Sequence, residues 1–394
     1  VSDSDPFEGI PFLGDLAKML QQQGDQSWAA AGQMAMAVAT GGEAEPNVDP
    51  LVRIQLEELA RVAELQIDRV SGLTSSIGGR AVKVEPVTRA QWVQRSLPVY
   101  RDLLEKVAGS ISGPPPSTEG DEDAPADLFA GLMAMMGPMM MGMAAGSMVG
   151  HLARTSFGQY DLPIPRPEGD GLMVIVANLD EFAEQWSLPD DDLALWVCLE
   201  ELAHHAVLGV RHVGGRLRSL LEQYAAGFQP DPRALEERLG DLDLGAMGAD
   251  PSAGAAGLSG LDSLFGDPEA LLGAVRSPAQ EQLLPELHGL VAVITGVVDH
   301  YVDEASRSLL GDADRISEAL RRRRVTEGES TRFVQQLLGI ELTAEEVGRG
   351  HHFVAGVVER DGPEALERLW ESETMLPTPS EVDAPGLWLA RIDL

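Results

Sequence analysis

Apolar residues recur in steps of three and four through "DPLVRIQLEELARVAELQIDRVSGL" (49–73) and "TRAQWVQRSLPVYRDLLEKVAG" (88–109). That spacing gathers them on one face and predicts two amphipathic helices, the second with Thr88 placed to cap it. "LMVIVANL" (172–179) is an unbroken apolar run rich in branched residues, and it predicts the clearest strand of the chain. Helical patterning returns in "SLPDDDLALWVCLEELAHHAVLGV" (187–210), with Ser187 or Asp190 as cap candidates, and in "PELHGLVAVITGVVDHYVDEAS" (285–306). The fold class these patterns predict is mostly helical with a minor strand component.

Three stretches interrupt the periodicity. "ISGPPPSTEGDEDAPAD" (111–127) mixes proline, glycine and acids and reads as a linker or exposed loop. "FGQYDLPIPRPEGDG" (157–171) has loop composition, and residues 240–275, rich in Gly, Ala, Asp and Ser, read as a loose insertion. The expected organisation is an N-terminal helical region (1–110), the acidic linker (111–127) and a larger domain (128–394).

The helix predicted around residue 200 is apolar in nearly every direction, through Leu193, Leu195, Trp196, Val197, Leu199, Leu202, Ala206, Val207 and Leu208. A helix apolar all round is a buried helix. Yet it carries Glu200, Glu201, His204 and His205. Buried carboxylates are costly unless they are paired, protonated or bound to metal. Glu200 and His204, four apart, share a face. The frame Glu200-Glu201-Leu202-Ala203-His204 is one residue from H-E-x-x-H, in which two histidines hold zinc and the glutamate activates its water. Glu201 matches the base and His204 the second ligand, but the first histidine is a glutamate. On the helix after residue 285, His288, Thr295, Asp299 and Asp303 form a narrow polar stripe, expected to be a solvated face, while His300 falls outside it as a surface or capping residue. His351 and His352 are expected at a helix start. A di-iron site needs a second E-x-x-H, and the sequence contains none.

Composition adjusts this picture. With 29 basic against 63 acidic residues, the net charge of −34 repels phosphate backbones, so nucleic acid is not an expected partner. The single cysteine, Cys198, excludes an internal disulfide, reads as a small core residue and leads us to expect a cytoplasmic protein. The start "VSDSDPFEGI" has no signal-peptide pattern. The uncharged run 128–150 is long enough to span a bilayer, but it is methionine-rich, contains Pro138 and has no flanking basic cluster. It is expected to be a buried helix, with Gly142, Gly146 and Gly150 admitting close neighbours; membrane association is not expected. "RRRR" (321–324) is expected to be a solvated face or an internal clamp for carboxylates.

Several segments together resemble the actinobacterial zincin-like metallopeptidases, a family provisionally classed as hydrolases. They are "FGQYDLPIP" (157–165), "LMVIVANL", "LWVCLEELAHHAVL", "GVVDHYVDEA" (296–305), "LLGIEL" (337–342), "GHHFVAGVVERDG" (350–362) and "LERLWESETMLPTPSEVDAPGLWLARI" (366–392). The last is the most specific, and the resemblance covers most of residues 150–394. It implies a zincin-like helical core with Glu201 as general base, His204 as a metal ligand and Asp299 as the carboxylate that orients a ligand histidine. Two positions depart from the family pattern: Glu200 replaces the first histidine, and Thr295 stands where the third ligand belongs. So reduced a set is too poor for tight tetrahedral zinc. The resemblance therefore implies a degenerate member acting as a non-catalytic binding or scaffold protein for a protein or peptide partner. In it, the buried acids and His204 form a polar network with an arginine. The alternative is an active hydrolase in which Glu200, His204 and Asp299 hold the metal and Glu201 activates water.

Overall fold

The computed structural model describes residues 27–76, 81–112, 142–143, 145–166, 171–228, 277–325 and 337–394. Most of the run 128–150, most of the acidic linker and the whole insertion at 240–275 lie outside these residues.

The described chain is mostly helical, with one two-stranded parallel sheet. Its elements run α1 (27–40), α2 (Pro50–Ser71), β1 (Lys83–Val87), α3 (Arg89–Ser112), α4 (145–155), β2 (Gly171–Ile175), α5 (Val176–Trp186), α6 (Asp190–Gly209), α7 (Arg211–Ala226), α8 (Pro278–Ser306), α9 (Ala313–Val325) and α10 (Ala344–Asp361). Two short 3-10 helices, Pro363–Trp370 and Glu373–Met375, lead into α11 (Pro379–Asp383) and α12 (Pro385–Ile392).

Local chemistry explains most of the boundaries. Asp49 caps α2 through its side chain, and Gly72 ends that helix in the left-handed conformation. At α3, Thr88 accepts from the Gln91 amide while Gln91 accepts from the Thr88 amide. α8 starts earlier than its periodicity predicts, at Pro278, because Ser277 and Gln280 form a capping box before the apolar stripe begins. The predicted strand 172–179 ends at Ile175, where the chain turns directly into α5. Neither predicted cap of α6 has that role: Pro189 precedes the helix and Asp190 to Asp192 fill its first turn, favourable to its dipole, whereas Ser187 ends α5 at a positive φ of 52°. Thr343 caps α10, which places His351 and His352 in mid-helix rather than at its start.

α8 is the central element, packed against α2, α6, α7, α9, α10 and α11. Every residue from Gly289 to Val298 on it is buried. The polar stripe expected to be solvated faces neighbouring helices instead: Thr295 is buried, and the Asp299 side chain is only 13% exposed. α8 has the length and apolarity of a membrane span, but 61% of its apolar window is packed inside the protein, as in a core helix. α8 and α10 cross backbone against backbone at Gly296 and Gly350, where a Cβ on either would enter the other helix's main chain. α1 meets α4 in the same way, with Gly146 and Gly150 facing the carbonyls of Ala31 and Ala35.

The N-terminal elements share this core. α2 lies along α6, and β1 pairs with β2 from Lys83–Gly171 to Val87–Ile175. At the other end of the chain, Trp388 is fully buried and donates to the Met375 carbonyl at 2.6 Å. Arg391 Nε binds Glu381 Oε1 at 2.6 Å, fastening the C-terminal segment beside α8 and α10.

Candidate functional site

α6 delivers Glu200, Glu201, His204 and His205 into the interior on consecutive turns, and each has a different partner. Glu200 points toward α9, where its Oε1 accepts from Arg324 Nη2 at 2.7 Å. Arg324 Nη1 donates to both oxygens of Asp299 on α8, at 3.1 and 2.8 Å. His351 Nε2 on α10 lies 2.7 Å from Asp299 Oδ2. One guanidinium thus bridges two carboxylates, and four helices meet at it.

Successive residues on a helix point about 100° apart, and the four consecutive arginines of α9, Arg321 to Arg324, use that rotation to reach different acids. Arg321 pairs with Asp303 at 3.1 Å, Arg322 with Glu318 at 2.7 Å, and Arg323 with Asp161. Arg323 also lies over the Phe157 ring, 3.8 Å from its centroid. Within "RRRR", Arg323 and Arg324 form the internal clamp for carboxylates, while Arg321 and Arg322, 45% and 63% exposed, lie on a solvated face.

Burial works against charge on Asp299, but Arg324 and His351 hold its carboxyl well below the ordinary carboxylate range. Burial pushes Glu200 up, with Arg324 opposing. The two acids in turn outweigh burial at Arg324 and raise its already high pKa.

Glu201 faces the loop between α4 and β2. Its Oε2 accepts from the Gln159 amide at 2.8 Å and its Oε1 from the Tyr160 amide at 3.0 Å. Gly158 makes this approach possible, since a Cβ there would collide with the Glu201 carboxylate. Asp161 Oδ2 shapes the same loop by accepting from the amides of Phe157 and Gly158 at 2.7 and 3.1 Å. Trp92 Nε1 donates to the Gly158 carbonyl at 2.7 Å. Burial, with Asp161 adding to it, pushes Glu201 up to about 8 against the two amide hydrogen bonds.

His204 Nδ1 lies 3.0 Å from the Glu200 carbonyl, which can only accept, so Nδ1 carries the proton and Nε2 a lone pair. Its ring stacks on Tyr160 at 5.8 Å, and burial pushes its pKa down to about 4, leaving a neutral imidazole. The neighbouring His205 meets the Tyr160 hydroxyl through Nδ1 at 3.2 Å. Cys198 is fully buried and its thiol is raised by that burial, as befits a core residue.

The residues expected to bind zinc do not fit it as they stand. Glu200 and Asp299 are committed to a guanidinium, Glu201 to two backbone amides, and Thr295 is buried on the packed face of α8. His204 Nε2 is the imidazole donor left to the expected set. Among the described residues no three of His, Cys, Asp and Glu are grouped to hold a metal ion. Sequence reasoning singled out Glu200, His204 and Asp299, and the structure gathers Glu200 and Asp299 at Arg324. It had not selected Arg324 from its run, nor tied His351 to Asp299. The network opens on a cleft of about 480 Å³ lined by Phe157, Phe182, Trp186 and Leu342 on one hand and by the charged Arg154, Asp161, Glu181 and Arg323 on the other.

A profile of the family described as zincin-like metallopeptidase matches residues 27–389. No curated protein matches the chain. A crystal structure from Chloroflexus aurantiacus, of a protein provisionally named a hydrolase with a novel fold, superposes with a TM-score of 0.63 at 21% identity, over 93% of this chain and 98% of that one. At that identity the likeness is one of fold.

Proposed function

Because the chain belongs to the zincin-like metallopeptidase family, we propose that it is a degenerate member, a non-catalytic binding or scaffold protein in which a fixed guanidinium holds the place a metal would take. The observation that carries this reading is Arg324, bound to Glu200 and Asp299 together. Two carboxylates brought close in a poorly solvated site need a cation between them. Here the chain supplies its own, by a planar fork matched to carboxylate geometry. A divalent ion arriving at these oxygens would have to displace a buried arginine or endure its repulsion. The partner on this reading is a protein or peptide, and the aromatic-walled cleft in front of Arg324 suits an apolar side chain.

Metal content decides between this and a rearranged hydrolase. Protein purified from zinc-supplemented culture without chelators is expected to hold far less than one zinc per chain, with no difference in His204→Ala. Stoichiometric zinc that disappears in His204→Ala, together with peptide hydrolysis, would overturn the proposal and return His204 and Glu201 to the ligand and base roles.

A further inference from the structure

A groove of about 220 Å³ lies between α2, the junction of β2 and α5, and the start of α6. Its lining falls within residues 52–59 and 174–194, all of them described. The floor is apolar, from the buried Leu56, Leu179, Ala183 and Leu193. The rim is acidic, from the exposed Asp180, Asp190 and Asp191, and no described lining residue is basic. Asp191 accepts from Gln55 of α2. Nearby Glu181 is neutralised by Arg89, whereas none of the three rim acids has a described cation as partner. The helix dipole accounts for Asp190 and Asp191 in the first turn of α6 but not for Asp180 in mid-α5. Burial, then Asp190 and Glu181, push Asp180 up from the ordinary carboxylate value, as follows where acids gather without a cation.

The outer face of α2 continues this apolar surface. Seven large apolar residues are exposed among the described ones, and four of them, Leu51, Ile54, Val62 and Leu65, stand on this one helix. By the helical period these four share a stripe about 21 Å long, next around the helix from Val52, Leu56 and Leu59 in the groove. Glu58 stands within the stripe, and Arg61 and Arg69 lie toward the end away from the groove. Single exposed apolar residues need no explanation. A contiguous stripe beside an apolar groove marks an interface.

Charge decides what covers it. A second copy would bring the same acids and a net charge of −34 to the contact. The chain's own stretches of more than ten residues outside the described ones are each acidic on balance, from five acids against one base in 1–26 to nine against three in 229–276. We propose that the groove and the α2 stripe dock a basic amphipathic helix of a partner protein. One lysine or arginine lays its stem on the apolar floor with its charged head among Asp180, Asp190 and Asp191, and apolar residues one turn away cover Leu51 and Ile54. The volume suits one such side chain and falls below the roughly 300–1,000 Å³ of small-molecule pockets. The groove shares no described lining residue with the cleft over Arg324, so the proposal holds whether or not that site takes a metal.

The test is fluorescence anisotropy of a labelled synthetic helix of about 18 residues, with leucine at every third or fourth position and lysine and alanine elsewhere, titrated with the full chain. Two further peptides, one of the same composition scrambled and one with glutamate for lysine, separate docking from bulk attraction to an acidic protein. Saturable one-to-one binding of the basic amphipathic peptide is expected. It should weaken about tenfold in Asp180→Lys and about threefold in Ile54→Gln. Both positions are exposed, so neither change threatens the fold. Leu387→Gln, at an exposed apolar position of α12, is expected to leave affinity unchanged. The proposal is overturned if the basic amphipathic peptide does not bind, if either other peptide binds as tightly, or if Asp180→Lys or Ile54→Gln keeps wild-type affinity. A wild-type dimer in sedimentation that Ile54→Gln dissociates would also overturn it, assigning the face to a second copy.

Discussion

Arg324 holds two largely buried carboxylates at once, Glu200 and Asp299. Removing one member of a buried ion network costs about 3–5 kcal/mol, as the remaining charges lose compensation. Glu200 and Asp299 retain 21% and 13% side-chain exposure, so water softens the loss. We expect Arg324→Ala to destabilise by about 3 kcal/mol and Arg324→Lys by less, since an ammonium cannot fork between two acids. Denaturant midpoints at unchanged m-value measure this; a shift below about 0.5 kcal/mol for the alanine variant would mean the clamp is ornamental. The sequence foretold half of this site. Four ionisable groups in an otherwise apolar helix had to be buried and therefore partnered. It pointed to an arginine as the partner but not to which one, because four consecutive arginines differ only in direction, and direction is set by where α9 lies on α8. Glu201 gave no local clue to its two amide donors either, since they come from a loop some forty residues earlier.

Among the elements, α8 and α10 were readable as helices but not as a touching pair. The glycines that let them touch, Gly296 and Gly350, lie 54 positions apart, and small residues alone do not name their neighbour. The solvated reading of the α8 stripe failed for the same reason: polarity was visible, the covering helix was not. β1 escaped notice because Glu85 and Pro86 spoil its pattern, and Pro is tolerated only on a strand with a free side. Gly350→Ala places a methyl against the Ala292 carbonyl, and overpacking of this kind costs about 1–3 kcal/mol. Because residue 350 immediately precedes His351, parting the helices should also draw the imidazole from Asp299. We expect a lower thermal midpoint together with a shifted His351 ring signal in NMR; an unaltered midpoint would show that the crossing has slack.

For the molecule as a whole, pH dependence reports on the interior of α6. Glu201 is pushed up to about 8 from an ordinary 4.5, and His204 down to about 4 from 6.5. Between pH 4.5 and 6.5 the unfolded chain has released the Glu201 proton and bound the His204 proton, while the folded chain does the reverse, so the two slopes offset. From 6.5 to 8 only Glu201 differs, the folded state holding a proton that the unfolded state lacks. Stability should therefore fall as pH rises through this window, by at most about 1.4 kcal/mol per unit. Urea midpoints at pH 6.5 and 8 check this: Glu201→Gln should lack the decline, although its amide cannot serve both backbone donors and its stability will be lower throughout. A wild-type midpoint that rises with pH would contradict it.

The clamp also bears on how the chain can change over evolutionary time. A histidine introduced at position 200 would not by itself create a metal centre, since Arg324 would then face Asp299 with an imidazole pressed against its cationic edge. For an ion to bind there, Arg324, Glu200 and Thr295 would have to change almost together, with stability lost at each intermediate step. The side chain that neutralises two buried acids is in this sense also a lock on their composition, since neither acid can be exchanged without leaving the arginine's charge exposed to the other alone.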